Sequence, residues 1–337
     1  RAGAARGGEA VTDKPLLSLG LDLDNLWSYM KIHGDAGWEA YPTYMSALAP
    51  LLIDVLARHR LKITLFIVGQ DAALDRNVEA FRAMADAGHE IGNHSFHHEP
   101  WLHLYSRPEI EDDLKRAEEA IERATGRRTV GFRGPGYSLS GDTLRVLASR
   151  GYSYDCSTLP TFLGPLARAY YFWKSRGMPA EERAKRKNLF GSFRDGLQPI
   201  RPYSWSIDGR SLVEIPVTTQ PITRVPFHMS YVHYLSRFST TLARAHLATS
   251  LGLCRLGGVT PSYLLHPLDL LGCDKVRELA FFPGMDLPTA AKVEFLEEGL
   301  ERLKKSFRVV TLEEHARAVA AAPEGVVRTY EEERARG

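Results

Sequence analysis

The stretch Leu17 to Asp24 constrains this chain more than any other. It reads Leu-Ser-Leu-Gly-Leu-Asp-Leu-Asp, so apolar residues alternate with small or acidic ones at a period of two. In a strand, Leu17, Leu19, Leu21 and Leu23 share one face, and Ser18, Gly20, Asp22 and Asp24 share the other. If helices cover the leucine face, the opposite face looks into the middle of the fold and ends in two carboxylates about 6 to 7 Å apart. Buried carboxylates are costly unless paired, and adjacent ones repel. A bound cation, a shared proton or a solvated strand terminus would each relieve this pair.

Strand and helix patterns alternate along the rest of the chain. Asn25 to Pro42 reads as a Trp- and Gly-containing loop, and Thr43 to His59 reads as a helix with Leu48, Leu51, Leu52, Val55 and Leu56 at helical spacing. Leu61 to Val68 is a nearly continuous apolar strand, as expected where both faces are covered. A helix over Asp71 to Ala87 stops at Gly88, the strand His89 to Asn93 follows, and a charged helix over Pro108 to Thr125 ends at Gly126. Further strands are expected at Thr129 to Arg133, Tyr152 to Cys156, Leu212 to Val217, Ser262 to His266 and Phe307 to Val310. Helices are expected over Gly141 to Arg150, near Thr289 to Ser306 and from Leu312. Such alternation implies parallel strands with helical crossovers, an α/β fold best described as a distorted (β/α)7-8 barrel. With 337 residues and 44% hydrophobic content, the chain can form one large barrel or two ordinary domains. The expected layout is a flexible tail over 1–15, the barrel over 16–322 with an insertion at about 160–211, and a charged tail over 323–337.

The polar residues collect at strand ends. Asp22 and Asp24 end the first strand, His94 follows the third, Arg133 ends the fourth, Asp155 the fifth and His266 the seventh. That is the rim at which barrel enzymes carry their chemistry. In Asn93-His94-Ser95-Phe96-His97-His98, one helical turn would bring the imidazoles of His94 and His98 to a common side. Two imidazoles and a carboxylate make an open three-ligand site of the kind used for catalytic zinc or a related divalent ion. His97 and His103 lie close by and compete for attention. Gly131 to Tyr137 reads as a strand ending in an arginine, followed by a Gly-Pro-Gly turn. Its backbone N–H groups can approach a ligand closely, and Arg133 can hold a carboxylate in a fork. Asp155 is either part of this rim or a strand-end cap, and His266 is either part of it or a packed loop histidine.

These residues together resemble the polysaccharide deacetylases of NodB homology, carbohydrate esterase family four. The matching motifs are Asp22 and Asp24, His94-Ser95 through His98, Arg133-Gly134-Pro135, Asp155 and Leu264-Leu265-His266, in the family's order over roughly residues 16 to 315. The similarity is greatest to the branch with Phe-Arg-x-Pro-x-[FY]-Ser, here Phe132 to Ser138, and with His-Pro, here His266-Pro267. The deformylase of lipid-linked aminoarabinose is also similar at Asp22-Leu23-Asp24. The resemblance implies that Asp24, His94 and His98 hold one divalent metal ion, Zn2+ first, with Co2+, Ni2+ or Mn2+ as substitutes. It implies Asp22 as general base, His266 as the acid that protonates the departing amine, Arg133 as the brace of the base and Asp155 as the residue that tunes the acid. Gly136 and Tyr137 would lie at the oxyanion and substrate. Asp269, three residues past His266, is a second partner for that imidazole.

The implied function is metal-dependent removal of an N-acetyl or N-formyl group from an amino sugar, whether an oligosaccharide, a lipid-linked sugar or a sugar-bearing metabolite. The alternatives are an amidohydrolase of a small non-sugar amide and a barrel that binds glycan or lipid without turnover. The chain departs from the family at Gly136, where many relatives carry a bulky aromatic, and in lacking an Asp-Trp pair at Asp155. Both departures argue against long-chain polymer binding.

The net charge of +2 hides an asymmetry, because Ser157 to Leu265 holds 14 Lys/Arg against 5 Asp/Glu. Within it lie Tyr170-Tyr171-Phe172-Trp173 and the basic cluster Arg183, Lys185, Arg186 and Lys187. Phe227, Tyr231, Leu235, Phe238 and Leu242 then recur at helical spacing beside Arg224, Arg237, Arg244 and Arg255. This basic, apolar stripe suits peripheral contact with an anionic membrane through 160–256, or equally a barrel-wall helix with a lid or oligomer contact. Nucleic acid is not an expected partner, since no binding motif accompanies the charge. Cys156, Cys254 and Cys273 form neither an even framework nor a C-x-x-C pair. With no signal-type h-region in the opening residues, they favour a cytoplasmic protein, peripheral at most to the inner face of the membrane.

Overall fold

The computed structural model describes residues 14–166, 192–322 and 325–330. The expected 1–15 tail falls almost wholly outside them, as do Tyr170 to Trp173 and the Arg183 to Lys187 cluster.

β1 (Leu16–Asp22) is the hub of the sheet. It pairs in parallel with β2 (Thr64–Ile67) on the path to β3 (Glu90–Asn93), β4 (Gly131–Phe132), β5 (Tyr154–Asp155) and β7 (Arg210–Glu214). Along the other direction it pairs with β8 (Ser262–Leu265). The ring closes just past β7, where the Thr218 N–H donates to the Ser262 carbonyl at 3.0 Å and Ser262 N–H donates to the Thr218 hydroxyl at 2.8 Å. The result is a distorted α/β barrel of mostly parallel strands. The exception is β6 (Tyr203–Ile207), which lies inside the expected insertion and forms an antiparallel hairpin with β7. β9 (Arg308–Val310) pairs with the start of β1. β10 (Val327–Thr329), within the stretch expected as a charged tail, pairs in parallel with β6.

The helices are α1 (Leu26–His33), α2 (Met45–Arg58), α3 (Gly69–Ala72), α4 (Asp75–Asp86), α5 (Arg107–Thr125), α6 (Gly141–Arg150), α7 (Met229–Ser236), α8 (Thr240–Leu256), α9 (Thr289–Ser306) and α10 (Leu312–Ala320). The expected helix over Asp71 to Ala87 is broken into α3 and α4. Helix α5 starts at a capping box, Ser106 with Glu109, and ends at Gly126 in the left-handed region. Helix α1 was not anticipated, because its eight residues include no run of strong apolar periodicity. Asn25 caps it, its side chain accepting from the Leu26 N–H at 2.8 Å, and Gly34 ends it at φ 93°.

Alternation along β1 decides the layering. Leu17, Leu19, Leu21 and Leu23 are fully buried in the core beneath the helices. The other face looks into the barrel, where Gly20 lies so close to Leu312 that a Cβ there would sit 2.9 Å from its Cδ1. Helix α10 closes that end of the barrel. Its Leu312 N–H donates to the Thr64 hydroxyl at 2.8 Å, and His315 Nδ1 meets the Ser18 hydroxyl at 2.9 Å. Among the described residues no helix is long and apolar enough to cross a membrane.

Candidate active site

With one end of the barrel plugged, the polar strand ends meet at the other. Asp24, two residues past β1, faces His94 and His98 from the loop after β3. His98 Nε2 lies 2.8 Å and His94 Nε2 3.3 Å from Asp24 Oδ1, and the three ligand atoms fall within 4.8 Å of one another. The two imidazoles do not converge through a helical turn, as the spacing suggested. The segment 94–98 is an irregular loop in which Ser95 and His98 take positive φ, 61° and 53°. Ser95 N–H donates to the Asn93 side chain at 2.8 Å and His98 N–H to the Ser95 hydroxyl at 3.1 Å, so local side-chain bonds hold a backbone that helix geometry does not.

His94 Nδ1–H donates to the Arg133 carbonyl at 2.6 Å, which leaves Nε2 as the nitrogen turned toward Asp24. Burial pushes the Asp24 carboxyl up, but His98 and His94 outweigh it and hold it well below the usual range. Burial pulls His94 down, yet Asp22, Asp24 and the Arg133 carbonyl raise it above its ordinary value. A buried cluster that stabilises positive charge this way fits a divalent cation. The donor set of two imidazoles and one carboxylate suits zinc.

Asp22 is almost completely buried beside this cluster. Arg133, fully buried, donates from Nη1 to Asp22 Oδ1 at 2.7 Å and from Nε to the Cys156 carbonyl at 3.2 Å, and its guanidinium lies 4.5 Å from the centre of the Phe66 ring. Burial opposes the Arg133 charge, but Asp22 sustains it. The expected brace of the acidic residue is therefore present as a geometry.

The turn after Arg133 is built by Asp155. Ser157 donates its hydroxyl to Asp155 Oδ1 at 2.6 Å and accepts the Gly134 N–H at 2.7 Å. Gly136 and Tyr137 then follow in the left-handed region at φ 58° and 62°. The Tyr137 N–H is spent on the Gly134 carbonyl at 2.9 Å, while among the described residues no backbone bond engages the Gly136 N–H. The Tyr137 hydroxyl is held protonated by burial and by the negative charge of Asp22.

His266, just past β8, faces the same space from across a cleft of about 260 Å³ that it lines with Asp24, Tyr29, Ser230, Tyr231 and Lys292. Two expectations about it are corrected. Asp155 makes no bond to His266; it bonds Ser157 and faces buried Glu214, whose carboxyl is held protonated by burial and by Asp155. Asp269 meets the His266 backbone, accepting its N–H at 2.8 Å, rather than the imidazole. The ring instead meets Ser230, with Nδ1 3.0 Å from the hydroxyl.

Several residues were not singled out from sequence. Ser230 and His228 sit at the start of α7, and the His228 ring is 6.0 Å from that of His266. Trp27 on α1 packs edge-on at 6.3 Å from His98 and donates to Asp71 Oδ1 at 3.0 Å. Isolated Ser, His or Trp residues carry no spacing signal, so only the basic excess over Ser157 to Leu265 marked this face. His97 and His103 turn elsewhere, to Arg116 at 3.1 Å and to Ser138 at 2.9 Å. The basic, apolar stripe is interrupted between α7 and α8. Phe227 is in the core, Phe238 is 70% exposed, and Arg237 and Arg244 are paired with Asp286 and Glu298 at 3.0 and 2.8 Å.

Residues 34–154 match the family model described as polysaccharide deacetylase. A peptidoglycan deacetylase of Helicobacter pylori is 26% identical over 201 residues, which are 57% of this chain and 66% of that protein. The peptidoglycan-N-acetylmuramic acid deacetylase PdaA of Bacillus subtilis is 35% identical over 85 residues, 25% of this chain and 31% of that one. The chain thus spans less than two thirds of either curated relative's length. A crystal structure from Mycobacterium smegmatis assigned to the polysaccharide deacetylases superposes with a TM-score of 0.57 at 21% identity, covering 95% of this chain and 96% of that one. That likeness shows the fold.

Proposed function

Residues 34–154 match the polysaccharide deacetylase family, and from that premise we propose that the chain is a member of it, a metal-dependent hydrolase that removes an N-acetyl or N-formyl group from an amino sugar. The observation that carries the reading is the placement of Asp22, braced by a buried arginine, beside the converging Asp24, His94 and His98. A barrel that only binds glycan has no use for a second buried carboxylate held in one orientation.

A divalent ion held by Asp24, His94 and His98, zinc first, would supply an activated water and a Lewis acid for the amide carbonyl. Asp22 takes the proton that the attacking water loses, and Arg133 keeps the accepting carboxylate in place. The Gly136 N–H, presented by the left-handed turn, is the backbone donor for the oxyanion that develops on the carbonyl oxygen. As the carbon–nitrogen bond breaks, His266 gives a proton to the departing nitrogen. Water has then been divided between a free amine and a carboxylic acid, and the proton on Asp22 returns to solvent as His266 regains one.

The substrate panel follows from the surroundings. Peptidoglycan enters because relatives named for it match, and lipid-linked amino sugars enter because Phe238, Leu242 and Leu256 remain exposed on the α7–α8 side. The zinc-loaded protein is incubated with free, oligomeric and lipid-linked N-acetyl and N-formyl amino sugars, and released acetate or formate is measured. Release from at least one sugar is expected. Release from a simple N-acyl amide but from no sugar assigns the alternative activity, and no release at full zinc occupancy ends the hydrolase reading.

A further inference from the structure

His266 is held more completely than a loop residue needs to be. Asp269 accepts its backbone N–H, His233 Nε2–H donates to the Asp269 carbonyl at 3.1 Å, and the buried Lys292 donates to the carbonyls of Leu268 and Leu271 at 2.7 and 3.0 Å. The backbone is thus immobilised, and the remaining freedom is rotation of the imidazole. Among the described residues no carboxylate bonds that ring. Its partner is the Ser230 hydroxyl, delivered by the first turn of α7 at 3.0 Å from Nδ1. No described residue bonds Nε2, and the ring lines the cleft with Asp24.

A hydroxyl differs from a carboxylate in a way that matters here. An ionised carboxylate only accepts, so it holds a proton on Nδ1 and leaves Nε2 bare when the ring is neutral. A hydroxyl both donates and accepts. It accepts from Nδ1–H when the ring is charged, and it stays bonded to Nδ1 in the neutral ring whichever nitrogen carries the proton. We propose that Ser230 is the positioning residue of His266, holding Nδ1 so that Nε2 stays turned to the cleft before and after it gives up its proton. The proposal rests on the reading of His266 as proton donor to the leaving nitrogen. It also explains why Asp155 is free to build the Gly134 turn: the imidazole is oriented from the other side of the cleft by a helix beyond the residues that match the family model.

Ring nitrogen NMR of the full-length, zinc-loaded, histidine-labelled protein tests this, with His266 assigned by comparison with His266→Gln. The His266 Nδ1 is expected to carry a hydrogen-bonded shift that Ser230→Ala loses and Ser230→Thr retains. Ser230→Ala should also lower kcat for acetate release about tenfold with KM within about twofold. Ring shifts unchanged in Ser230→Ala, or lost equally in Ser230→Thr, overturn the proposal. If Ser230→Ala does not fold, Ser230→Cys, close in volume and a weaker hydrogen-bonding group, is read the same way. The ring shifts are read without turnover, so absence of acetate release with the Ser230-dependent shift present counts against the hydrolase reading and not against Ser230.

Discussion

Asp22 and Arg133 form the pair on which the site's chemistry and its stability both depend. Arg133 is 0% exposed, so removing the negative charge opposite it leaves a buried cation without compensation, a change that costs about 3–5 kcal/mol when the partner is lost altogether. Asparagine at position 22 keeps an oxygen for Arg133 and removes only the basicity. Asp22→Asn is therefore expected to fold, with a lowered Tm, and to bind zinc at one equivalent while hydrolysis falls by about 10²-fold or more. Zinc content by atomic absorption and acetate release on the same sample check this. Retained hydrolysis would assign the base elsewhere.

At the level of the element, the turn Gly134 to Ser138 shows how a short segment is forced into shape. Ser157 ties Gly134 to Asp155, and Gly136 and Tyr137 both take positive φ. A side chain at Gly136 meets two obstacles, the left-handed backbone and a Pro100 Cβ 3.0 Å from the ideal Cβ position. Gly136→Ala should cost about 1–2 kcal/mol through the backbone alone and lower kcat more than it raises KM, because the N–H it displaces acts on the developing oxyanion. Thermal melts and steady-state kinetics separate the two effects. An unchanged kcat in a destabilised variant would remove the Gly136 N–H from the site.

Across the whole molecule, the plugged end of the barrel carries a pH signature of its own. Burial pulls His315 down to about 4, and burial followed by the charge of Lys62 pulls His89 to about 4. Both are neutral in the folded protein while the unfolded chain takes up protons below about pH 6.5. The unfolded state then binds more protons, so stability is full above that pH and is lost as pH falls toward 4. For His315, buried between Ser18 and Thr260, the loss is about 3 kcal/mol over that window. Asp71, raised to about 7 chiefly by burial, acts in the opposite sense, because its folded form keeps a proton that the unfolded chain releases above about pH 4. Denaturant melts of metal-free protein from pH 7.5 to 4.5 should show a shallower slope in His315→Gln than in wild type. Equal slopes would show that His315 is protonated in the fold.

Alternation along Leu17 to Asp24 by itself determined the hub strand, its buried leucine face and the inward placement of the acids, because side-chain direction in a strand is a local property. The order of strands and helices likewise determined a parallel barrel with its polar residues at one rim, since parallel neighbours require crossovers and crossovers leave the strand ends together. Local pattern did not show helix α1, whose Asn25 cap also bonds Asp71 at 2.7 Å, nor the left-handed loop that brings His94 to His98. Partner choice was decided only in the folded chain. Asp155 lies 111 residues before His266 in the chain and Ser230 only 36, yet neither number says which of them meets the ring. That depends on the packing of α7 against β8 and on Ser157 and Glu214 occupying Asp155, contacts between segments that no local sequence period encodes.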